Sequence, residues 1–344
     1  MIGLHAGVGA RRRVRVAPIA GTAGLVVVFA AAALAPWLAP ADPAAQHPGF
    51  AFAPPMRVRI VDAHGAWRRP FVYPLVLVDP LERRFVEDTT RPTPLRFFDR
   101  GRVVTLEAGA GPLLLLGADA LGRDVLSRLL VGARVSLGVA LAGVLGALAL
   151  GALAGTIAGY AGGLVDEILV RVADFILVLP ALYLILAVRA ALPLVLEPLP
   201  LLAAVSAVLA IAGWPIVARA VRGLVAAESR RDYIEAARAL GASPARIVVR
   251  HLLPATTGLL AIHGALLLPA FVAAEATLSF AGLGLAEPVA SWGTMLRQDA
   301  SNLAAVADFP WLLAPAAALA AVSLLVQLAS AGHEPAGKPR PAPR

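Results

Sequence analysis

Four charged residues crowd together just ahead of a long apolar run: Asp119, Arg123, Asp124 and Arg128. Their D-x3-R spacing, repeated once, would set opposite charges on neighbouring turns of a helix, where they pair. The chemistry on offer is electrostatic: an ion-paired interfacial helix, or a gate. Gly122 sits among them. A second set is Asp232 and Glu235. A D-x-x-E pattern predicts a capping box that starts a helix at 233. Tyr233 to Leu240 is then helical, and Gly241 suits the left-handed position that stops a helix. Ser243 and Pro244 suit the cap and first turn of the next one. Asp166, Glu167, Arg171 and Asp174 form a third group, expected to anchor a turn. Glu275 stands in apolar sequence, and charge is otherwise scarce there, so no proton relay is expected.

Other chemistries find no support. There is no cysteine, so no disulfide framework and no thiolate metal site. His251 and His263 lack the H-E-x-x-H spacing of a zinc protease. The single lysine, Lys338, does not follow a phosphate-loop pattern. If ATP drives the function, another subunit must hold it. Ser243 lies in a basic stretch outside any apolar block, which argues against an intramembrane serine protease. No catalytic residue, metal site or cofactor is expected in this chain.

Elements must position these groups. The chain is 59% hydrophobic and 15% charged, against roughly 25% charged for an ordinary soluble domain. The apolar residues come in blocks, near 17–38, 135–158, 170–190, 199–218, 255–280 and 310–330. Each is about the ~20 residues that cross a bilayer as helix. The first block follows Arg11, Arg12, Arg13 and Arg15 and could be a cleavable signal, but its length favours an uncleaved span. The expectation is an all-α polytopic membrane protein with six transmembrane helices and an extracytoplasmic insert after the first.

Arginine placement orients it. The tail 1–16 and the loop after the fourth span are basic and read as cytoplasmic, as does the tail 331–344. The loop 281–309 carries only Arg297 and reads as external. The insert, 39–112, is proline-rich with strand-like runs at 57–61, 71–78 and 102–106, so either a small β-rich cap or an irregular loop fits. Pro74 demotes the middle run to an edge strand or extended loop. Residues 113–330 form the transmembrane core, with a cytoplasmic loop at 219–254. Gly151, Gly155 and Gly159 put small residues on one helix face, where another helix can approach closely. Pro180 and Pro269 interrupt the third and fifth spans.

The net charge of +8 and pI near 11.0 could suggest nucleic acid. Residues 232–250 read locally as a helix-turn-helix, which would make a membrane-anchored DNA-binding or signalling protein. Both flanks run into apolar spans and leave no room for a third packed helix, so nucleic acid is not expected as a partner. A groove on a protein partner fits better. Ala236, Ala237 and Gly241 make a small-residue face, and Glu235 and Arg238 offer charged contacts at its rim.

"EAARALGASPARIVVRHLLP" (235–254) resembles the EAA loop of binding-protein-dependent ABC transporter permeases, E-A-A-x3-G-x9-I-x-L-P. Glu235, Ala236, Ala237, Gly241, Leu253 and Pro254 match in register, and His251 stands where the pattern has isoleucine. "LGADALGRDVLSRLLVGARVSL" (116–137), "GYAGGLVDEILVRVADFILVLP" (159–180) and "EATLSFAGLGL…PVASWGTML" (275–296) are similar to the C-type permease of the dipeptide, oligopeptide and nickel branch. The resemblance implies a bacterial inner-membrane importer subunit. Its partners would be a homologous second permease subunit, two ATP-binding subunits that hold ATP and magnesium, and an extracytoplasmic substrate-binding protein. The loop with Arg238 would dock on the ATPase. Asp119, Gly122, Arg123, Asp124, Arg128 and Glu275 become candidates for a gate or a binding-protein contact. The substrate implied is a peptide, with nickel or a peptide-like antibiotic as alternatives. The long insert and the end "QLASAGHEPAGKPRPAPR" depart from the branch.

Overall fold

The computed structural model describes residues 6–107, 109–178, 197–299 and 303–331. The first helix, α1 (Ala6–Ala33), continues after a turn into the short α2 (Ala35–Leu38). The insert follows and is β-structured, so the chain is mostly helical and not all-α. Its strands are β1 (Arg59–Val61), β2 (Trp67–Val72), β3 (Leu75–Asp79), β4 (Arg84–Glu87), β5 (Thr93–Asp99) and β6 (Arg102–Leu106). They form an antiparallel sheet in the order β1-β2-β5-β6 and a separate β3-β4 hairpin. Pro74, which has no N–H to give a ladder, falls between β2 and β3 and divides the run 71–78 between the two sheets. The insert has its own core of Met56, Val72, Leu75 and Leu106, completed by Leu113, Leu114 and Ala118 from beyond the last strand.

Among the described residues, four helices are long and apolar enough to cross a membrane. They are α3 (Val125–Ala161), the span Leu199–Glu228 within α5 (Pro198–Glu228), α7 (Pro244–Phe280) and α10 (Pro310–Ser330). Between them lie α4 (Gly163–Val178), α6 (Asp232–Ala239), α8 (Trp292–Asp299) and α9 (Leu303–Asp308). The apolar part of α1, Ala17–Ala33, is shorter. Pro180 and most of the expected third span lie outside the described residues.

The helix α3 is central, packing on α1, α5 and α7. Its small-residue face does what its spacing predicts. A Cβ on Gly151 would meet Val217 at 2.5 Å, one on Gly155 the Ala218 carbonyl at 2.5 Å, and one on Gly159 the Arg222 carbonyl at 2.6 Å. Contacts advance together along both helices, so α3 and α5 run parallel. By contrast α7 runs antiparallel to α3, with Phe271 against Gly143 and Gly264 against Leu148. The pair α1 and α10 is also antiparallel, with Gly21 under Ala329 and Gly24 under Leu325. Lipid gives no hydrophobic drive for helix pairing, so dispersion at such close approaches must supply it.

Two spans overshoot their expected ends. The fourth runs to Glu228 rather than 218, because Arg219 and Arg222 pair with Asp174 and Asp166 on α4 instead of entering a loop. The fifth begins at Pro244 rather than 255. Pro254 does not break it. The hydrogen bonding widens to a π-turn over Val248–Leu252 just before the proline, which absorbs the missing donor. The helix also runs on through Pro269.

Candidate functional site

At the end of the bundle away from the insert, α5, α6 and α7 form a bent clamp. Helix α6 begins one residue earlier than expected. Arg231 is its cap residue and no side chain caps it, so the D-x-x-E box does not form. Asp232 and Glu235 instead lie in the first turn, where acids favour the helix dipole. Gly241 adopts φ +79°, the left-handed stop its position predicts. The Ser243 hydroxyl accepts from the Arg246 N–H at 3.4 Å, with Pro244 in the first turn.

This segment is anchored on one side and open on the other. Ile234, Ile247 and Leu252 are fully buried in the main core. Glu235, Ala236, Arg238 and Gly241 are exposed, Ala237 and Leu253 half-buried, and Pro254 exposed. Leu240 is 89% exposed, high for a leucine with nothing to cover it. Arg238 stacks over the Tyr160 ring at 5.4 Å, a cation–π contact that ties α6 to the end of α3. His251 packs against Tyr233 at 5.9 Å, and the Tyr233 hydroxyl donates to Glu228 at 2.9 Å. The departure at 251 therefore has a place: its ring holds α6 against the start of α7. A helix, a turn and a second helix are present. The second helix is the first turn of a long apolar span, so it is not free to enter a DNA groove.

At the insert end a buried charge cluster gathers around the start of α3. Asp119 and Arg123 are not on a helix as expected, because the chain there is a turn whose Ala118 bridges to Asp124. Asp124 is the cap of α3 and accepts from the N–H groups of Leu126 and Ser127. Gly122, at φ +73°, lets the turn pass the His47 carbonyl, which a Cβ would meet at 1.9 Å. Arg123 donates to Asp119 at 2.7 Å, and Arg128 stands 3.6 Å from the same carboxylate. Burial pushes the Asp124 carboxyl up to about 6, against the lowering by its hydrogen bonds from Ser127.

The residue that completes this cluster is Glu287, which sequence reasoning passed over. It takes Arg123 on one oxygen at 3.0 Å and Arg128 on the other at 2.8 Å. Arg123 also donates to Gln298. Glu287 is 43% exposed while both guanidinium groups are under 5%, so the cluster meets the surface only there. A carboxylate beside a proline in a loop carries no periodic signal, so nothing local marks it.

Glu275 lies close by on α7 and is fully buried. One oxygen accepts from Ser279 at 2.8 Å, and the other has no hydrogen-bond partner among the described residues. The Ser279 hydroxyl accepts from Leu285 N–H, and Ser136 on α3 accepts from Trp292 N–H. The run 275–296 thus wraps a hydroxyl-lined nest onto α3. Glu275 is thus held inside the bundle and does not reach water.

Residues 126–336 match the family described as binding-protein-dependent transport system inner membrane component. The match begins in the first turn of α3, so the β insert lies before it. The chain is similar to the oligopeptide transport system permease protein OppC of Bacillus subtilis, 36% identical over 57% of this chain and 62% of that protein. It is similar to the dipeptide transport system permease protein DppC of the same organism, 37% identical over 52% and 54% of the two chains. The glutathione transport system permease protein GsiD of Pectobacterium atrosepticum is 35% identical over 63% of this chain and 70% of its own. The chain therefore spans a little over half the length of the two Bacillus relatives.

Proposed function

Because the chain belongs to the binding-protein-dependent transport system inner membrane components, we propose that it is the membrane-spanning subunit of an ATP-driven peptide importer. The observation that carries this is the clamp: an exposed face of Glu235, Ala236, Arg238 and Leu240 on a short helix. Buried Ile234 and Ile247 fix that helix to the foot of α7. A push on α6 moves α7 as a rod, and with it Phe271 and Glu275 deep in the bundle. That is rigid-body alternating access.

Six spans with both termini cytoplasmic are part of this reading. Parallel α3 and α5 fit a topology with one crossing between them. The antiparallel α1–α10 and α3–α7 pairs agree with the same order of crossings. The tail 1–16, the span 17–38, the insert 39–112, the core 113–330 and the tail 331–344 then alternate across the membrane. ATP and magnesium belong to two partner subunits that dock at 219–254, and a second permease subunit completes the pathway. An external binding protein delivers substrate near the charge cluster of Asp119, Arg123, Asp124, Arg128 and Glu287, which acts as a gate latch. Dipeptides or oligopeptides are the substrate class, by likeness to the named relatives. Nickel or a peptide-like antibiotic would share the scaffold.

With no native cysteine, an Ala236→Cys variant carries a single thiol. Bifunctional crosslinking in membranes should trap an ATP-binding subunit at that position. A thiol that stays uncrosslinked in an actively transporting membrane would overturn the docking. Identifying the ligand carried by the copurified binding protein separates peptide from nickel.

A further inference from the structure

A cavity of about 470 Å³ opens beside the insert where the first helix ends, within the size range of small-ligand sites. Its walls include Pro40 and His47 from the stretch after α2, Arg100, Arg102 and Thr105 from the β5–β6 turn and β6, and Glu107. The lining is cationic on balance. Glu107 is ion-paired to Arg96. Arg102 has no carboxylate partner among the described residues; one of its nitrogens donates to the Ala39 carbonyl at 3.1 Å. Arg100 stands a loose 3.9 Å from Asp99 with most of its side chain exposed. Thr105 is buried, and its hydroxyl has no hydrogen-bond partner among the described residues.

The height of the cavity matters as much as its charge. Leu34 and Trp37, at the end of the first apolar helix, are 45% and 55% exposed. An exposed tryptophan at a span end is the pattern of a membrane–water boundary. Pro40 and Ala41, in the cavity wall, follow within four residues of Trp37. If the first helix crosses the membrane, as the proposed function has it, the basic pocket opens at the level of the lipid phosphates.

We infer that this cavity binds a phosphate group, with Arg100 and Arg102 as charged donors and His47 and Thr105 as supporting ones. A guanidinium fork matches phosphate oxygens. A tetrahedral anion can meet donors from separate walls, where a planar carboxylate is satisfied by one fork. The phosphate comes either from an anionic lipid headgroup, its acyl chains lying along Leu34 and Trp37, or from free phosphate.

The test uses the full chain purified in a mild non-ionic detergent, with binding read by native mass spectrometry and thermal stability. Short-chain phosphatidylglycerol, inorganic phosphate and diacylglycerol are the probes. Phosphatidylglycerol should bind and stabilise, and Arg100→Gln should weaken it about fivefold, as loss of one cation near a lipid surface does. Arg102→Gln should weaken it further, but it also removes the Ala39 contact. Arg100→Gln is therefore the deciding variant, and Thr105→Val, which keeps the side chain's shape, is a second. Equal protection by inorganic phosphate, lost in the same variants, assigns the site to free phosphate. Stabilisation by diacylglycerol equal to that by phosphatidylglycerol, or undiminished phosphatidylglycerol and phosphate binding in both Arg100→Gln and Thr105→Val, would overturn the inference.

Discussion

Arg123 and Glu287 meet at 3.0 Å across 164 residues of sequence. The contact joins the turn before α3 to the loop after α7. Glu287 thereby shares two buried guanidinium groups with Asp119, since Arg128 takes its other oxygen. Removing such a partner leaves charge uncompensated in a low dielectric, which costs more than the pair itself contributes.

Glu287→Ala should therefore lower thermal stability measurably. Breaking a fully buried pair costs about 3–5 kcal/mol; because Glu287 is partly exposed and water can replace it, the expected loss is about 1–3 kcal/mol. Glu287→Gln keeps an acceptor and should fall between. A melting temperature for Glu287→Ala equal to wild type would show that Asp119 alone satisfies both arginines.

Gly241 separates conformation from contact. Its φ of +79° strains any L-residue, yet a Cβ there would meet nothing within 4 Å. Gly241→Ala and Gly241→Trp should thus lose a similar ~1–2 kcal/mol of stability. Membrane insertion should be intact in both. Only the bulky variant should abolish coupling of ATP hydrolysis to uptake, since only it reaches the docking groove. Normal transport by Gly241→Trp would sink that proposal.

The packing of α3 on α5 gives a paired test. Gly155→Leu drives a side chain into the Ala218 carbonyl and Val221, an overpacking cost of about 1–3 kcal/mol or more. Gly138, on the same helix, has nothing within 4 Å of a Cβ. Gly138→Leu should leave the melting temperature within a degree or two of wild type, about 0.5 kcal/mol.

Asp124 makes stability depend on pH. Its folded pKa is raised by burial to about 6, from 3.8. The folded state then holds the proton more tightly than the unfolded chain. Stability falls as pH rises between those values, and the full cost is present above the higher one. Asp124→Asn keeps an acceptor for the α3 cap and should flatten that window. Melting curves of both proteins from pH 4 to pH 7 give the difference, which should grow with pH and then level off.

Much of the architecture was legible in the chain. Apolar blocks marked the four spans found among the described residues, Gly151, Gly155 and Gly159 marked a close helix contact, and Gly241, Ser243 and Pro244 marked a stop and a start. These signals act over a few residues, through backbone sterics and local hydrogen bonds. The D-x-x-E box failed because the helix starts at Asp232 itself, a shift of one residue that moves Asp232 out of the capping position. The strands β4 and β5 were missed because short segments in a proline-rich insert take their shape from the partners they pair with.

The sequence by itself determined a helical membrane protein with the EAA-like segment in register, because helix length, burial in lipid and turn chemistry are written locally. Only the tertiary structure decided which charges are spent within the chain. Arg219 and Arg222 belong to Asp174 and Asp166, Arg123 and Arg128 belong to Glu287 as well as Asp119, and His251 belongs to Tyr233. The reason is physical. Coulomb energy depends on distance and on the surrounding dielectric, and neither exists for two residues 164 apart until packing brings them together.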